Sequence, residues 1–283
     1  MGMWIGAPGA LREITDGAVS YDRSPDLGVT EFRSLEGGVT TWAPRLRPRR
    51  LKLSWTAMER GDVDHLDRLA RRVTALGPVA LVDPLSRNLL AGDQAAGLGA
   101  AAGKWAVTGS QIVMYGGSAG AYVPNSVSVE TIGTSGHSDL VWRHPYFHGI
   151  PVVPGQRYTW WTPGLVAAGA PMVNSQVAWY SAAKGFMTTA TASKPGVPLV
   201  TTAPAGAAYV RPYVAFTATG LWDLGASIFC PGDISADLLA GERPAGEGCP
   251  AMSITGYSHV ATPGNGAFRD IGLELVEVTS AVG

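Results

Sequence analysis

Hydrophobic and polar positions alternate strictly over Arg49-Arg-Leu-Lys-Leu-Ser-Trp55, with Leu51, Leu53 and Trp55 on one face and Arg50, Lys52 and Ser54 on the other. Successive side chains of an extended chain point to opposite faces, so this pattern predicts a half-buried strand. Val29 to Arg33 and Val39 to Trp42 read as partner strands across the turn signal Glu36-Gly37-Gly38. Between Asp62 and Leu76 the spacing changes, and Val63, Leu66, Leu69, Ala70, Val73 and Leu76 recur at helical intervals. An amphipathic helix is predicted there. Asp62 and Asp64 suit the positive end of its dipole, Arg71 and Arg72 the negative end, and Gly77-Pro78 stops it. Val79 to Asp83 returns to strand, closed by Pro84.

From Ala91 to Gly103 the chain is almost wholly Ala and Gly, with no amphipathic pattern, and reads as a hinge or open loop. Beyond it the helical period disappears. Strands are predicted at Lys104 to Val107, Gln111 to Tyr115, Ser126 to Ile132, Asp139 to Arg143, Arg157 to Thr162, Ser175 to Ser181, Gly185 to Thr191, Ala208 to Phe216, Ala226 to Phe229, Met252 to Gly256 and Ile271 to Thr279. Gly, Pro and Ser separate them, which is the pattern of a sandwich. The expected fold class is mainly β: a sandwich-like N-terminal domain with one helix over residues 1–87, a Gly/Ala linker over 88–103, and a jelly-roll β-sandwich over 104–283.

Composition agrees. Among 283 residues, 37 Gly and 20 Pro are too many breakers for a helical bundle, and charged residues make up 15%. The formal charge of −1 offers nothing global to nucleic acid or to an anionic membrane. Residues 1–90 carry 13 basic and 11 acidic side chains and residues 91–283 carry 8 and 11, a mild change of sign at the hinge. No apolar run is long enough for a membrane span, and the first residues lack the basic and apolar regions of a signal peptide.

Chemistry-bearing motifs are few. Gly116-Gly-Ser-Ala-Gly120 matches a nucleophile elbow, and Asp223 or Asp233 with His259 completes the chain order Ser118, Asp, His. An elbow requires a helix directly after the serine, whereas Ala121-Tyr-Val-Pro124 leads into another strand-like run. No catalytic residue is assigned and the chain is expected not to be an enzyme. His137, His144 and His148 lie close together, but Pro145 and the surrounding aromatics argue against the helical spacing that would make them metal ligands. No metal or other cofactor is expected. Arg45, Arg47, Arg49, Arg50 and Lys52 place five basic residues in eight positions. Because the strand alternates, these side chains read as a solvated or subunit-interface face rather than a nucleic-acid site.

Six of the nine tryptophans follow the hinge. Exposed indoles can stack on sugar C–H faces, and Trp142, Trp160 and Trp161 are the candidates. Trp160 and Trp161 are adjacent and must point to opposite faces of an extended segment, one toward the core and one toward solvent or a partner. Cys230 and Cys249 are too few for a four-ligand zinc site; either two thiols or one disulfide is open to them.

The first half resembles the distal tail and minor tail proteins of long-tailed bacteriophages. The resemblance lies in Glu31-Phe-Arg33, Thr41-Trp42, the Arg47 to Trp55 strand, the amphipathic helix, Val79 to Pro84 and Asn88-Leu-Leu90. The second half resembles the carbohydrate-binding-module-like jelly roll that such proteins carry, in Pro154 to Trp160, Val177 to Tyr180, Ala208 to Pro212 and Arg269 to Leu275. These are patterns of strand and turn rather than catalytic signatures. The resemblance implies a non-enzymatic virion protein of the tail tip, made and assembled in the bacterial cytoplasm. Its N-terminal domain would form a homo-oligomeric ring, usually a hexamer, touching the tail tube, the tape measure and the hub protein. Its second domain would face outward, toward host cell-wall glycan. The alternative is a carbohydrate-binding adhesion protein.

Overall fold

The computed structural model describes residues 2–25, 29–42, 48–83, 88–99, 103–116, 126–133, 138–261 and 268–278, and these are mostly β. The first elements are β1 (Met3–Gly6), β2 (Arg12–Ile14), β3 (Ser20–Pro25), β4 (Thr30–Arg33), β5 (Val39–Trp42), β6 (Arg49–Met58), α1 (Arg60–Ala70) and β7 (Val79–Val82). Then come α2 (Gly92–Ala96), β8 (Trp105–Thr108), β9 (Ile112–Gly116), β10 (Val127–Thr131), β11 (Asp139–Trp142), β12 (Ile150–Pro151), β13 (Arg157–Trp161) and α3 (Pro163–Ala167). After these follow β14 (Met172–Ser181), β15 (Phe186–Thr191), β16 (Leu199–Thr202), β17 (Ala207–Phe216), β18 (Gly220–Asp223), β19 (Ile228–Pro231) and α4 (Ser235–Leu239). The last two strands are β20 (Ala251–Ala261) and β21 (Arg269–Glu277). Among the described residues no helix is long and apolar enough to cross a membrane.

Two compact units result. Unit 1 comprises Met1–Ala7, Arg12–Leu81 and Pro250–Gly283; unit 2 comprises Pro8–Leu11 and Val82–Cys249. The division differs from the linear one expected from the sequence, because β20 and β21 belong to unit 1. Ala251 and Met252 of β20 pair with Ala80 and Val79 of β7, and β21 pairs along β6. Unit 2 is thus an insertion between β7 and β20.

Unit 1 is a seven-stranded sheet in the order β2-β1-β7-β20-β21-β6-β3. The alternation of β6 is realised as expected: Leu51, Leu53 and Trp55 are buried against Leu273 and Leu275 of β21 and against Val63, Leu66 and Leu69 of α1. Each such side chain contributes roughly 1.5–3 kcal/mol by leaving water. The helix is shorter than its apolar periodicity predicts. Arg72 takes a left-handed φ of 57°, and the N–H groups of Arg72 and Val73 donate to the carbonyls of Leu69 and Arg68 at 3.0 and 2.9 Å. That pair of bonds caps the helix in a Schellman motif, leaving Val73 and Leu76 exposed at 64% and 88% rather than on the apolar face. Asp62 does more than face the helix dipole. Buried, it accepts from Arg12 Nε and Nη2 at 3.1 and 2.9 Å and from the Thr15 N–H and hydroxyl at 3.2 and 3.1 Å, tying α1 to β2.

Unit 2 is a β-sandwich. One layer runs β15-β14-β17-β11-β8 with β12 on β17; three-stranded sheets β16-β13-β19 and β18-β10-β9 complete it. Trp142 of β11 meets Trp160 of β13 edge-to-face at 4.8 Å, and Tyr158 stacks on Phe229 at 5.3 Å. The sequence pattern located β8 to β11, β13 to β15, β17 and β19 within a few residues and missed β12, β16, β18 and the three short helices.

The segment expected to be a linker is anchored. Asn88 is buried; its Nδ2 donates to the Ser227 and Pro244 carbonyls at 3.1 and 3.3 Å, and its Oδ1 accepts from the Leu90 and Phe229 N–H groups at 3.2 and 3.1 Å. Gln94 of α2 is also buried and donates to the carbonyls of Lys104 and Arg143 at 2.7 and 3.0 Å. Part of the low complexity of this stretch reflects close packing: a Cβ on Gly97 would lie 2.5 Å from the Gly225 carbonyl oxygen, and one on Gly246, which packs against the stretch, 2.8 Å from the Leu90 and Ala91 carbonyl oxygens. Small residues permit that approach.

Candidate functional site

In unit 1 the strands β4 and β5 form a two-stranded sheet of their own, outside the seven-stranded one. Thr30 pairs with Trp42 and Phe32 with Thr40, so Phe32 and Trp42 share one face. Both are exposed, at 58% and 60%, and every residue of the two strands is exposed. An isolated two-stranded hairpin is marginal in water. Leu35 in its turn and Val39 add further exposed apolar surface.

The basic strand is largely self-satisfied. Arg45 and Arg47 lie outside the described residues. Arg49 Nε donates to Glu277 Oε2 at 2.9 Å, and Lys52 stands opposite Glu274 on β21 with its Nζ 3.1 Å from Oε1. Arg50 points outward on the same polar face. The alternation announced an exposed basic face but could not reveal that β21 sets Glu274 opposite Lys52, or that Arg49, in the alternation of Leu51, meets Glu277.

The proposed glycan-stacking tryptophans are core residues. Trp142, Trp160 and Trp161 are exposed by 0%, 0% and 6%, so none can stack on a sugar. Trp160 and Trp161 do point to opposite sides of β13, but both sides are covered. Trp161 packs on Ile228, Cys230 and Leu238, donates its indole N–H to the Gly196 carbonyl at 2.9 Å and lies under Arg243 at 4.9 Å. The covering helix α4 falls in a Gly/Pro-rich stretch that carries no helical period. Cys230 and Cys249 are both buried, as thiols.

The remaining candidates separate. Ser118 and His137 lie outside the described residues. His259 belongs to unit 1, whereas Asp223 and Asp233 belong to unit 2. Asp223 accepts from Ser128 Oγ at 2.7 Å, and Asp233 from Ser235 Oγ at 2.7 Å. His144 is a buried bracket: its Nδ1 accepts from the Tyr146 and Phe147 N–H groups at 3.0 and 2.9 Å, so Nε2 carries the proton and donates to the Cys249 carbonyl at 2.8 Å. Among the described residues no group of three or more His, Cys, Asp or Glu side chains could hold a metal.

A surface that the sequence pattern does not single out lies on the outer side of the β14-β17 pair. Register places Tyr180 opposite Tyr209, Ala178 opposite Arg211 and Gln176 opposite Tyr213, while Phe186 of β15 pairs with Tyr180. The alternate residues Ala208, Val210, Pro212 and Val214 face the core. Arg211 is the keystone. Its Nε donates to the His148 carbonyl at 2.6 Å, its Nη2 donates to His148 Nδ1 at 2.9 Å, and its Cζ lies 4.9 Å from the Tyr180 ring centroid. His148 stands edge-on to Tyr180 at 4.9 Å, and Tyr180 to Phe186 at 6.0 Å. Phe186 is 62% exposed. Desolvation, then Arg211, Lys184 and Arg143, hold the His148 pKa below its usual value. Tyr213 is raised by desolvation, then by Asp139 and Tyr180, so its hydroxyl stays protonated and donates to Gln176 Oε1 at 2.8 Å. The cluster combines aromatic faces, a fixed guanidinium and neutral hydrogen-bonding groups. The legible signal was the alternation Tyr209, Arg211, Tyr213 within an otherwise apolar strand.

No protein-family model matches the chain, and no curated protein matches it in sequence. Among solved structures, the xylan-degrading enzyme 10B of Clostridium thermocellum, solved as a carbohydrate-binding and catalytic module pair with xylohexaose, is 11% identical over 54% of this chain and 28% of that one, with a TM-score of 0.30. A carbohydrate-binding module of the β-sandwich superfamily is 12% identical over 80% of this chain and 91% of that one, with a TM-score of 0.28. Superpositions this slight do not establish a common ancestry, and the chain is here a mainly β protein built from a seven-stranded sheet unit and an inserted sandwich.

Proposed function

We propose that the chain is a structural assembly protein, a subunit of a homomeric ring at the tip of a long bacteriophage tail. The observation that carries this reading is the β4-β5 hairpin with Phe32 and Trp42 exposed on one face. Two aromatic side chains on a hairpin that pairs with no third strand among the described residues gain several kcal/mol, about 1.5–3 each, when a neighbour covers them. A second copy of the chain is the occupant, because a ring repeats one contact and needs one apolar arm per subunit. The resemblance of residues 31–55 to tail proteins supports the same assignment. In that setting unit 1 builds the ring and meets the tube, tape measure and hub proteins.

The test is the double variant Phe32→Ser, Trp42→Ser. It is expected to keep the thermal unfolding of the parent and to lose self-association in sedimentation velocity. Unchanged self-association would remove the hairpin from the assembly.

A second reading, adhesion to host-wall glycan through unit 2, is compatible with the first. It is favoured by the outward Tyr180, Phe186 and Arg211 cluster, since aromatic faces beside hydrogen-bonding groups are the recurring chemistry of ligand recognition.

A further inference from the structure

We propose that the face bearing His148, Tyr180, Phe186 and Arg211, with Lys184 and Arg143 at its margin, binds an acidic saccharide, one bearing carboxylate or phosphodiester groups. The proposal rests on the second reading of unit 2 and narrows it from glycan in general to anionic glycan.

Charge distribution on this face selects the ligand. Arg211 is fixed over Tyr180 by two hydrogen bonds to His148, so its position is set before any ligand arrives. Lys184 occupies the turn between β14 and β15, exposed, with a left-handed φ of 66°. The turn is held by the Ser181 N–H donating to the Gly185 carbonyl at 2.9 Å and the Lys184 N–H donating to the Ser181 carbonyl at 2.9 Å. Its ammonium therefore stands at the end of the hairpin that carries Tyr180 and Phe186. Arg143 is exposed two residues beyond Val141, which pairs with Tyr213 on β17. Beside the desolvation that disfavours the charged form of His148, Arg211, Lys184 and Arg143 also disfavour it, as three cations near one ring do. The carboxylate of this face, Asp139, pairs with Ala215 at the opposite end of β17 and is engaged by the Thr108 hydroxyl at 3.3 Å.

A neutral sugar would use the aromatic faces and leave the exposed Lys184 and Arg143 without a role. A saccharide with one negative charge per residue or two uses both, stacking a ring on Phe186 or Tyr180 while its anion meets Lys184, Arg143 and the outer edge of Arg211. Single-stranded nucleic acid offers stacking and phosphate too, but the chain as a whole is net negative, and Gln176 and the Tyr213 hydroxyl add the neutral donors and acceptors that sugar hydroxyls require.

The experiment measures binding of the chain, at low and moderate salt, to polygalacturonate, to a phosphodiester-linked mannan, to neutral galactan and to an oligothymidylate. Binding to polygalacturonate or to the phosphodiester-linked mannan is expected, and which of the two is tighter identifies the anion. Lys184→Gln and Arg143→Gln should each weaken it roughly fivefold, the effect of about 1 kcal/mol from one exposed charge. Phe186→Ala should weaken it as well. These exposed positions leave the fold intact, so a lost affinity is a lost contact. Preference for galactan would overturn the acidic inference and leave the glycan reading standing. Absence of binding to every saccharide would overturn both. Preference for the oligothymidylate, or acidic-polymer binding indifferent to all three variants, would also overturn the proposal.

Discussion

Arg211 donates to Nδ1 of His148 at 2.9 Å, so the imidazole can gain a second proton there only by giving up that bond. Arginine has donors and no acceptor, and a doubly protonated ring would set two cations against each other. The His148 pKa is lowered by desolvation first and by Arg211, Lys184 and Arg143 after it. With the folded pKa below the unfolded one, stability is complete above the unfolded value of 6.5 and falls as pH drops through it, because the unfolded chain then binds the proton first. Unit 2 is expected to melt at lower temperature at pH 5 than at pH 7, and His148→Asn, which keeps an acceptor for Arg211, is expected to reduce that difference. The comparison is made against the parent because His65 in unit 1 is shifted in the same direction, by desolvation foremost. An identical pH response in the variant would show that the pair does not carry it.

Asn88 is predicted to be among the most sensitive positions of unit 2. Replacing it by Ala removes four side-chain hydrogen bonds and strands the N–H of Phe229 and Leu90 and the carbonyls of Ser227 and Pro244. A loss of about 2–4 kcal/mol is expected in denaturant unfolding, since buried groups left without partners cost about 1–3 kcal/mol each and water restores some of them. A change under about 0.5 kcal/mol, typical of an open surface position, would restore the linker reading.

The buried and exposed aromatics should separate cleanly. Trp160→Ala empties the space against Trp142 and should cost about 3–5 kcal/mol. Phe186→Ala, on the surface, should change stability by less than about 0.5 kcal/mol while weakening saccharide binding. Equal costs at the two positions would contradict the assignment of faces.

What the sequence made legible follows from the range of each signal. The alternation of Arg49 to Trp55 is local, and it located β6, its buried face and its polar face. The helix start was legible, whereas its end was not, because Arg72 in a left-handed conformation carries no compositional mark. The low-complexity stretch near Ala91 read as a hinge, yet Asn88 and Gln94 hold it by partners as far along the chain as Ser227 and Arg143. Trp161 looked available because the helix that covers it, Ser235–Leu239, is too short to show a period. The insertion of unit 2 was invisible for the same reason: pairing of Ala80 with Ala251 is a relation across the whole inserted unit.

The Lys52–Glu274 pair on the polar face of the unit 1 sheet leads to a modest expectation. Lys52 and Glu274 are exposed at 64% and 52%. Lys52→Ala should cost no more than about 1 kcal/mol in monomer stability, as exposed pairs do. A much larger loss confined to the assembled form would place this face in the subunit contact instead.

Self-association is the central expectation, and the mass of the unmodified chain in solution decides it. Light scattering on the 283-residue chain, at concentrations of tens of micromolar, is predicted to give a closed homo-oligomer, with six copies of the 29.5 kDa chain as the expected ring. A single 29.5 kDa species that persists as the concentration is raised would contradict it.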